Sequence, residues 1–351
     1  MIFNKALYPA VSLFLLALGF SLGVTPLIRA ISTKLNIFDL PGPRKIHKDA
    51  TPLLGGLAIY IGVNAALLFY LKDFQFLMPL LATSAIILVL GLANDIRGLS
   101  AGIRLVVQIL CALIIIATGA RIDFLPNNLW GNIGEVLVTV IWVVGITNAF
   151  NYLDGLDGLA AGSAALNLFC FSAILYKTGQ FALMAFVVVL MASCLGFLPY
   201  NFKRKKIFLG DAGSTFLGFT LAAIALLGNW AEDDIVKISI PVLILGVPIF
   251  DMVFTTILRI KDGKAKSVQE WLVFAGKDHF HHSLVDLGLP TRGAVILIYL
   301  ITFSLGVSAI MVSQGSALNA FLSILQAVIT LWVLGVLIVV AKRHRSGWSK
   351  S

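Results

Sequence analysis

An all-α integral membrane protein is the fold class that the sequence predicts, and two observations predict it. Hydrophobic residues make up 59% of the 351 residues, charged residues only 12%, and the mean hydropathy is +0.97. This is more apolar sequence than a soluble core of that length could use. The apolar residues also form runs of roughly 17 to 25, which is the length that an α-helix needs to cross a bilayer, without strand-like alternation. We therefore expect a polytopic helical protein.

Eleven apolar runs separated by polar breaks give the predicted membrane spans. Their approximate ranges are 8–31, 52–71, 76–93, 102–119, 133–150, 159–176, 180–199, 213–230, 238–257, 293–312 and 317–341. The first run is longer than a signal-peptide core and only Lys5 precedes it as a basic residue, so we expect a retained helix. No soluble linker or internal repeat divides the chain, so we expect residues 1–351 to form a single transmembrane domain.

The basic residues predict the orientation in the membrane. Of the 26 Lys and Arg residues, one set of alternate connections holds only Lys5, Lys72, Arg121, Lys177 and Lys237. Because basic residues collect on the cytoplasmic side, the N-terminus is expected outside and the C-terminus in the cytoplasm. The expected cytoplasmic loops are then about 32–51, 94–101, 151–158, 200–212 and 258–292. The net charge of +9 does not indicate nucleic-acid binding, since the chain lacks a soluble basic domain.

A polar, glycine-rich segment, residues 148–162, interrupts the apolar sequence between the fifth and sixth spans. It places two amides and two carboxylates within ten positions: Asn148, Asn151, Asp154 and Asp157. Such groups are costly at membrane depth unless they line a wet site. Residues three apart can share a helical face, but the whole set drifts by about half a turn, and Gly155 and Gly158 are expected to break the helix. The alternative is a capped turn without chemistry.

Two further clusters lie on the same predicted face. Asn94 and Asp95 end the third span and, taken alone, are typical of a capped loop. Residues 207–215 contain Gly210, Asp211 and Ser214 before the eighth span, a pattern typical of phosphate binding at a helix N-terminus. Asp211 would repel a phosphate unless a cation lay between them. Carboxylates without cysteine ligands favour Mg²⁺, with Mn²⁺ as a substitute, and that ion takes only one or two carboxylates.

The long loop 258–292 contains His279, His281 and His282. Zinc is a weak alternative because no third or fourth soft ligand is nearby in the sequence. Hydrogen bonds to a diphosphate are the favoured role, and packing in the loop is the alternative for at least one of the three histidines. Lys45 and His47 lie in a basic cluster that either binds an anionic substrate or flanks the membrane near anionic lipid. Asp251, inside the ninth span, either belongs to this face or pairs with a neighbouring helix.

Taken together, these motifs resemble the polyprenyl-phosphate N-acetylhexosamine-1-phosphate transferases, glycosyltransferase family 4. This family includes the bacterial enzymes that form polyprenyl-diphosphate-GlcNAc and the phospho-MurNAc-pentapeptide translocase. The resemblance covers nearly the whole chain and is closest over residues 148–162, 208–214 and 279–282. It implies transfer of a sugar-1-phosphate, with GlcNAc favoured, from a UDP-N-acetylhexosamine to undecaprenyl phosphate, with release of UMP. Such an enzyme would start cell-envelope polysaccharides such as teichoic acid or lipopolysaccharide O-antigen, in the bacterial inner membrane.

The resemblance implies roles for the polar residues. A homodimer is one assembly that the chain could form. The expected catalytic residues are Asp95, Asp154, Asp157 and Asp211. The expected substrate-binding residues are Lys45, His47, Asn94, Asn148, Asn151, Gly210, Ser214, His279, His281 and His282. The expected Mg²⁺ ligands are Asp211 and Asp95.

One departure from the family pattern bears on the mechanism: Asn94 stands where the family has the first of two aspartates, and an amide cannot act as a base. Gly98 also replaces a residue that is often polar. The second pKa of a phosphate monoester is about 6, so the lipid phosphate is already largely a dianion at neutral pH. We therefore expect direct in-line displacement, with either Asp95 as the base or no base at all.

Three alternatives remain open at this stage. The donor could be UDP-MurNAc-pentapeptide or another UDP-N-acetylhexosamine. A transporter or flippase would spread its polar groups through the membrane depth and would show broken helices in matching halves, whereas these groups gather at one face. An inactive scaffold is the third alternative, and Asn94 is the residue that motivates it.

Overall fold

The computed structural model describes residues 2–40, 49–202, 207–263 and 279–348. The α-helices in these ranges are α1 Ile2–Lys34, α2 Gly55–Leu67, α3 Met78–Arg97, α4 Ala101–Ala117, α5 Leu129–Leu153, α6 Leu159–Lys177, α7 Phe181–Asn201, α8 Gly210–Leu227, α9 Asp234–Ile244, α10 Gly246–Lys261, α11 Phe280–Asp286, α12 Thr291–Val312 and α13 Ala317–Trp348. A 3-10 helix covers Leu68–Leu77, and strands β1 Phe38–Asp39 and β2 Thr51–Pro52 form a short antiparallel pair.

The prediction of an all-α, multi-pass membrane protein is confirmed. Each predicted apolar run falls on helical structure, with 238–257 divided between α9 and α10 and 52–71 between α2 and the 3-10 helix. In the described residues eight helices are long and apolar enough to cross a membrane. A ninth span results if α9 and α10 count together, although the chain bends by 75° between them. The two remaining apolar helices, α2 and α4, are shorter: the 13 residues of α2 rise only about 20 Å against a hydrocarbon core of about 30 Å. The count of eleven spans thus stays a prediction.

Helix α8 lies at the centre of the bundle and α13 at its edge. In the apolar part of α8, 83% of the residues are buried by protein, against 22% in α13. Helix α8 packs against α3 and α5, while α1 packs against α7 and α12 against α6. The C-terminal ends of α3 and α5 therefore lie beside the N-terminal end of α8, and that end of the bundle carries most of the predicted polar motifs.

Local sequence explains where the helices of this end begin and stop. Helix α3 has a proline in its first turn and stops at Gly98, whose φ of 67° favours glycine. Helix α4 follows after Ser100, whose Oγ accepts a hydrogen bond from the Ile103 N–H at 3.3 Å. Helix α5 stops at Leu153 and α6 starts after Gly158, so the expected break in residues 148–162 is present.

Extended segments join the loop before α2 to the loop before α8. After the β1–β2 pair, the Phe208 N–H donates to the Pro52 carbonyl at 2.8 Å, and the Gly55 N–H donates to the Phe208 carbonyl at 2.9 Å. Next to them, Gly56 lies against the backbone of Gly213, where a Cβ would collide with it. These contacts hold the start of α8 in a fixed position against α2.

Candidate active site

The first turn of α8 is capped from across the bundle by Asp95, at the end of α3. The Asp95 Oδ1 accepts a hydrogen bond from the Asp211 N–H at 2.9 Å, and its Oδ2 accepts one from the Ala212 N–H at 3.1 Å. A carboxylate in this position satisfies the helix-terminal N–H groups and interacts favourably with the helix dipole. The expectation that the N–H groups of α8 are free for a phosphate is therefore wrong for these two residues.

Gly210 makes this close approach possible. Its φ is +75°, a conformation that L side chains rarely adopt, and a Cβ at this position would lie 2.6 Å from Asp95 Oδ2. The α8 helix also starts at this residue, three residues earlier than the predicted span. The Gly-Asp motif consequently forms the first turn of α8 rather than a loop before it.

The Asp211 carboxylate is the partly exposed centre of the site. Its Oδ1 accepts a hydrogen bond from Asn151 Nδ2 at 2.8 Å, and its Oδ2 accepts one from Asn94 Nδ2. The guanidinium of Arg104 lies 3.6 Å from Oδ2, and the Asp211 side chain is 32% exposed. Asn151 Nδ2 also donates to Ser214 Oγ at 3.0 Å. One carboxylate thus joins residues from α3, α4, α5 and α8.

Asp154 and Asp157 follow the end of α5 in the loop between α5 and α6. They do not continue the helical face of Asn151, because the helix stops at Leu153. Burial, followed by repulsion from Asp211, Asp95 and Asp157, raises the pKa of Asp154 well above its usual range. The four predicted catalytic carboxylates therefore lie close enough to repel one another, and negative charge is concentrated here.

The residues present fit an open Mg²⁺ site better than a closed metal cage. Among the described residues, no three Cys, His, Asp or Glu side chains are arranged to hold a metal ion. Mg²⁺ requires only one or two carboxylates, since it keeps waters and binds substrate phosphates. The partly exposed Asp211 is suited to such a site, and the crowding of carboxylates is what a divalent cation would relieve. Asp95 already accepts a backbone hydrogen bond on each oxygen, so its metal-binding role stays a prediction.

Asn148 joins two helices instead of reaching Asp211 in this structure. Its Nδ2 donates to Gln108 Oε1 of α4 at 2.8 Å and to the Val144 carbonyl at 2.8 Å. Both amide hydrogens are therefore in use, and Gln108 is buried. The substrate-binding role expected for Asn148 has no support from these contacts.

The histidines lie at the start of α11, beside the loop between α5 and α6. His279 is hydrogen-bonded to Asp251 and stacks on Tyr152 of α5, with ring centroids 4.9 Å apart. His281 is fully buried, its ring lies where a Cβ of Gly155 would be, and neither ring nitrogen has a hydrogen-bond partner among the described residues. His282 stacks against His281. The predicted residues Lys45 and His47 lie outside the described residues.

Comparison with known proteins agrees with this geometry. The model of the family described as glycosyl transferase family 4 matches residues 77–229. A Bacillus subtilis protein named "Probable undecaprenyl-phosphate N-acetylglucosaminyl 1-phosphate transferase" is 38% identical over 309 residues, which cover 86% of this chain and 85% of that protein. The chain belongs to glycosyl transferase family 4.

Other relatives with similar names extend this result. A decaprenyl-phosphate N-acetylglucosaminephosphotransferase of Mycolicibacterium smegmatis is 32% identical over 90% of this chain and 82% of its own length. An undecaprenyl-phosphate alpha-N-acetylglucosaminyl 1-phosphate transferase of Escherichia coli K12 is 27% identical over 78% of this chain and 75% of its own length. The family and the transferase class predicted from the motifs are thereby confirmed.

The matched region of this family 4 chain contains the Asp211 centre but ends before the histidines. Asn94, Asp95, Asn151, Asp154 and Asp211 all lie within residues 77–229, whereas His279 does not. The histidines and Asp251 lie outside that match, so their assignment to the site rests on the sequence motif and on the structure.

Sequence reasoning missed several residues that shape the family 4 site. One of them is Arg104, which in the sequence is one of the cytoplasmic charges beside the spans. A basic residue in the first turn of an apolar helix is nevertheless a usable indication of a binding site. Asn201 Oδ1 accepts from the Gly158 N–H at 2.9 Å, and Tyr299 donates to the Gly158 carbonyl at 2.6 Å. These two bonds hold the loop between α5 and α6 from both sides. Nothing in the sequence around Tyr299 indicated this contact.

Proposed function

We propose that this chain transfers GlcNAc-1-phosphate from UDP-GlcNAc to a polyprenyl phosphate, undecaprenyl phosphate in a bacterial inner membrane, and releases UMP. The observation that carries the proposal is the meeting of four carboxylates with an arginine and two amides at one end of the bundle. The names of the relatives support the donor sugar and the lipid class. The nucleotide product is inferred from the chemistry of that reaction.

The reaction requires positioning and charge neutralisation more than proton transfer. An oxygen of the lipid phosphate attacks the β-phosphorus of the donor, a new P–O bond forms, and the bond to the bridging oxygen breaks so that UMP leaves with the electron pair. The attacking phosphate is largely a dianion at neutral pH, so a general base is not required. When bound, Mg²⁺ would neutralise the diphosphate charge, with Asp211 as its expected ligand and Asp95 as the second.

The residues around Asp211 explain why an amide is acceptable at position 94. Asn94 donates to Asp211 through Nδ2, and its Oδ1 accepts from the Leu99 N–H at 2.7 Å, so one amide orients the carboxylate and closes the end of α3. A carboxylate in the same position could not donate to Asp211. Arg104 lies beside the same oxygen of Asp211 and adds a positive charge there. Its guanidinium group is suited to contacting a substrate phosphate. We infer that Asn94 is compatible with an active enzyme.

The test is an assay of purified protein with UDP-GlcNAc and undecaprenyl phosphate in the presence of Mg²⁺. The expected result is stoichiometric release of UMP and formation of the lipid-diphosphate sugar, both absent when EDTA replaces the metal. Turnover only with UDP-MurNAc-pentapeptide or with another UDP-N-acetylhexosamine would reassign the donor. Absence of turnover with every donor would contradict the proposal and favour a transporter or an inactive scaffold.

We also infer eleven membrane-crossing helices with the active site facing the cytoplasm. The expected cytoplasmic loops 94–101, 151–158 and 200–212 lie at the site end of α3, α5 and α8. All three cysteines, Cys111, Cys170 and Cys194, are buried, so one introduced cysteine can report the topology. Ile96→Cys should react with a membrane-impermeant maleimide only after the membrane is opened, whereas Ser316→Cys should react in intact cells. The reverse pattern would overturn the orientation. A homodimer stays a prediction.

A further inference from the structure

A second buried polar cluster lies outside the Asp211 centre, on α10 and at the start of α11. It consists of Asp251, Arg259 and His279, whose exposed fractions are 1%, 1% and 6%. Asp251 and Arg259 belong to a helix pair apolar enough for a membrane span, where buried charges are costly unless they are paired. The reaction described above makes no use of these residues, so their burial needs another explanation.

The hydrogen bonds of this cluster assign the proton on His279. A guanidinium nitrogen of Arg259 lies 3.3 Å from His279 Nε2, and arginine can only donate, so Nε2 is an acceptor. The ring hydrogen is then on Nδ1, which donates to Asp251 Oδ2 at 3.0 Å. The other oxygen of Asp251 accepts from the Phe280 N–H at 2.6 Å. Both ring nitrogens of His279 therefore have a hydrogen-bond partner.

The ring held in this way contacts two groups of the site. His279 stacks on Tyr152, which neighbours Asn151 in α5. It is also nearly parallel to His281, with centroids 5.9 Å apart, and His281 lies against Gly155. Displacement of the His279 ring would therefore disturb the end of α5 and the start of the loop that carries Asp154 and Asp157.

We propose that Asp251 and Arg259 are positioning residues that hold His279 as a neutral, Nδ1-protonated ring in contact with Tyr152 and His281, and that His279 itself does not bind the substrate. This inference rests on the proposed function. The histidine motif then has two parts. His279 sets the geometry of the site, and His281 and His282 are the candidates for contact with the substrate. The lack of a nitrogen partner on His281 agrees with this division.

The test compares two replacements of His279 that imitate different ring nitrogens. Asparagine places its amide N–H near the position of Nδ1 and can still donate to Asp251, whereas glutamine places its amide near Nε2 and cannot. His279→Asn keeps the hydrogen bond to Asp251 but loses the ring, so it should lower kcat about tenfold, while His279→Gln and Asp251→Asn should lower kcat about 100-fold, since a misplacement of about 1 Å costs that much. The KM for UDP-GlcNAc should change by less than about threefold in all three, because His279 does not contact the donor.

Asp262→Asn supplies a matched control. It makes the same carboxylate-to-amide change at an exposed residue directly after α10, and its kinetics should equal those of wild type. Equal losses in His279→Asn and His279→Gln, a more active His279→Gln, or a raised KM with unchanged kcat would overturn the positioning role. The thermal unfolding midpoint of each variant in detergent is the second measurement.

The two proposals fail in different ways. If wild-type protein releases no UMP from any donor, the proposed function fails, and the assigned hydrogen bonds are then tested by the unfolding midpoints alone. His279→Asn should unfold somewhat below wild type, because it loses the ring and the acceptor for Arg259. His279→Gln and Asp251→Asn should unfold lower still, because each disrupts the hydrogen bond between His279 and the buried carboxylate of Asp251. Identical midpoints for the two His279 variants would contradict the assignment.

Discussion

Two carboxylates of this protein, Glu135 and Asp211, lie near opposite ends of α5 and differ in the charges and donors that surround them. Glu135 Oε1 accepts from the N–H groups of Phe124 and Leu125 at 3.1 and 3.0 Å, and its Oε2 lies 3.3 Å from Arg121 Nε. Its side chain is only 2% exposed. One negative charge is matched by one cation and two backbone donors, which is what a structural carboxylate requires.

Asp211 has an arginine and hydrogen-bond donors as well, but its surroundings are not balanced. Three more carboxylates lie close enough to repel one another and Asp211. Arg104 lies beside Asp211 as a cation, and the Asp211 side chain is partly exposed. Excess negative charge beside an opening to solvent is costly without a function, and a cation with a phosphorylated substrate would compensate for it. Charge imbalance, rather than the presence of polar groups, therefore distinguishes the candidate active site from a structural carboxylate.

The largest effect is expected for Asp211→Ala, measured as the rate of UMP release under saturating substrates. Turnover should fall by at least about 1,000-fold, as for loss of a group that stabilises transition-state charge, because the expected metal ligand is removed. The matched variant at the balanced site, Glu135→Ala, should keep its turnover and lose about 3 kcal/mol of stability, since two backbone N–H groups lose their acceptor and Arg121, which still donates to Asn132, loses its carboxylate. Wild-type activity in Asp211→Ala would refute the metal assignment and the contrast.

The second effect concerns Asp95, where the roles of cap and metal ligand can be separated. Asp95→Ala removes both acceptors of the α8 N–H groups and should cost about 1 to 2 kcal/mol of stability together with roughly 100-fold in turnover. Asp95→Asn keeps one acceptor oxygen and should recover most of the stability. If Asp95→Asn is as stable as wild type but as inactive as Asp211→Ala, then Asp95 acts on the metal or the substrate more than on α8.

The sequence predicted the positions of the helices and most of the Asp211 centre, because apolar length and polar interruption are local properties. Asn94, Asp95, Asn151 and Asp211 were all identified, but their hydrogen bonds depend on the packing of α3 and α5 against α8. That packing is a long-range property, so the capping role of Asp95 could not be predicted from its neighbours in sequence.

The buried cluster on α10 shows the same limit. Asp251 left two alternatives open in the sequence, and the structure shows its carboxylate bonded to His279 and to the Phe280 N–H at the start of α11. Arg104 gave a weaker indication, since a single basic residue near a span end is common on any membrane protein. Residues whose partners are more than 100 positions away, such as Tyr299 and Gly158, require the three-dimensional structure.

The third expected effect concerns how the free energy of unfolding depends on pH. Burial, followed by the neighbouring His282, lowers the pKa of His281 to about 3. In the unfolded chain its pKa is about 6.5, so below that pH the unfolded state binds a proton that the folded state does not, and stability is lost as the pH falls. At pH 5 this amounts to about 2 kcal/mol. The unfolding midpoint of His281→Asn should therefore depend less on pH between 8 and 5 than that of wild type, and parallel curves would contradict the buried neutral state.

The smallest effect on turnover is expected at Asn94, and it tests whether the charge imbalance needs a base. Asn94→Ala removes one donor to Asp211, and a hydrogen bond to a charged group contributes about 1.5 to 3 kcal/mol at most, part of which Asn151 and Arg104 retain. Turnover should therefore fall by about tenfold or less, far from the loss in Asp211→Ala. Asn94→Asp should instead add a fifth carboxylate to the cluster and strengthen the dependence on Mg²⁺ concentration. If Asn94→Asp were faster than wild type at every Mg²⁺ concentration, proton removal would limit the reaction, and a base would have to be restored to the mechanism.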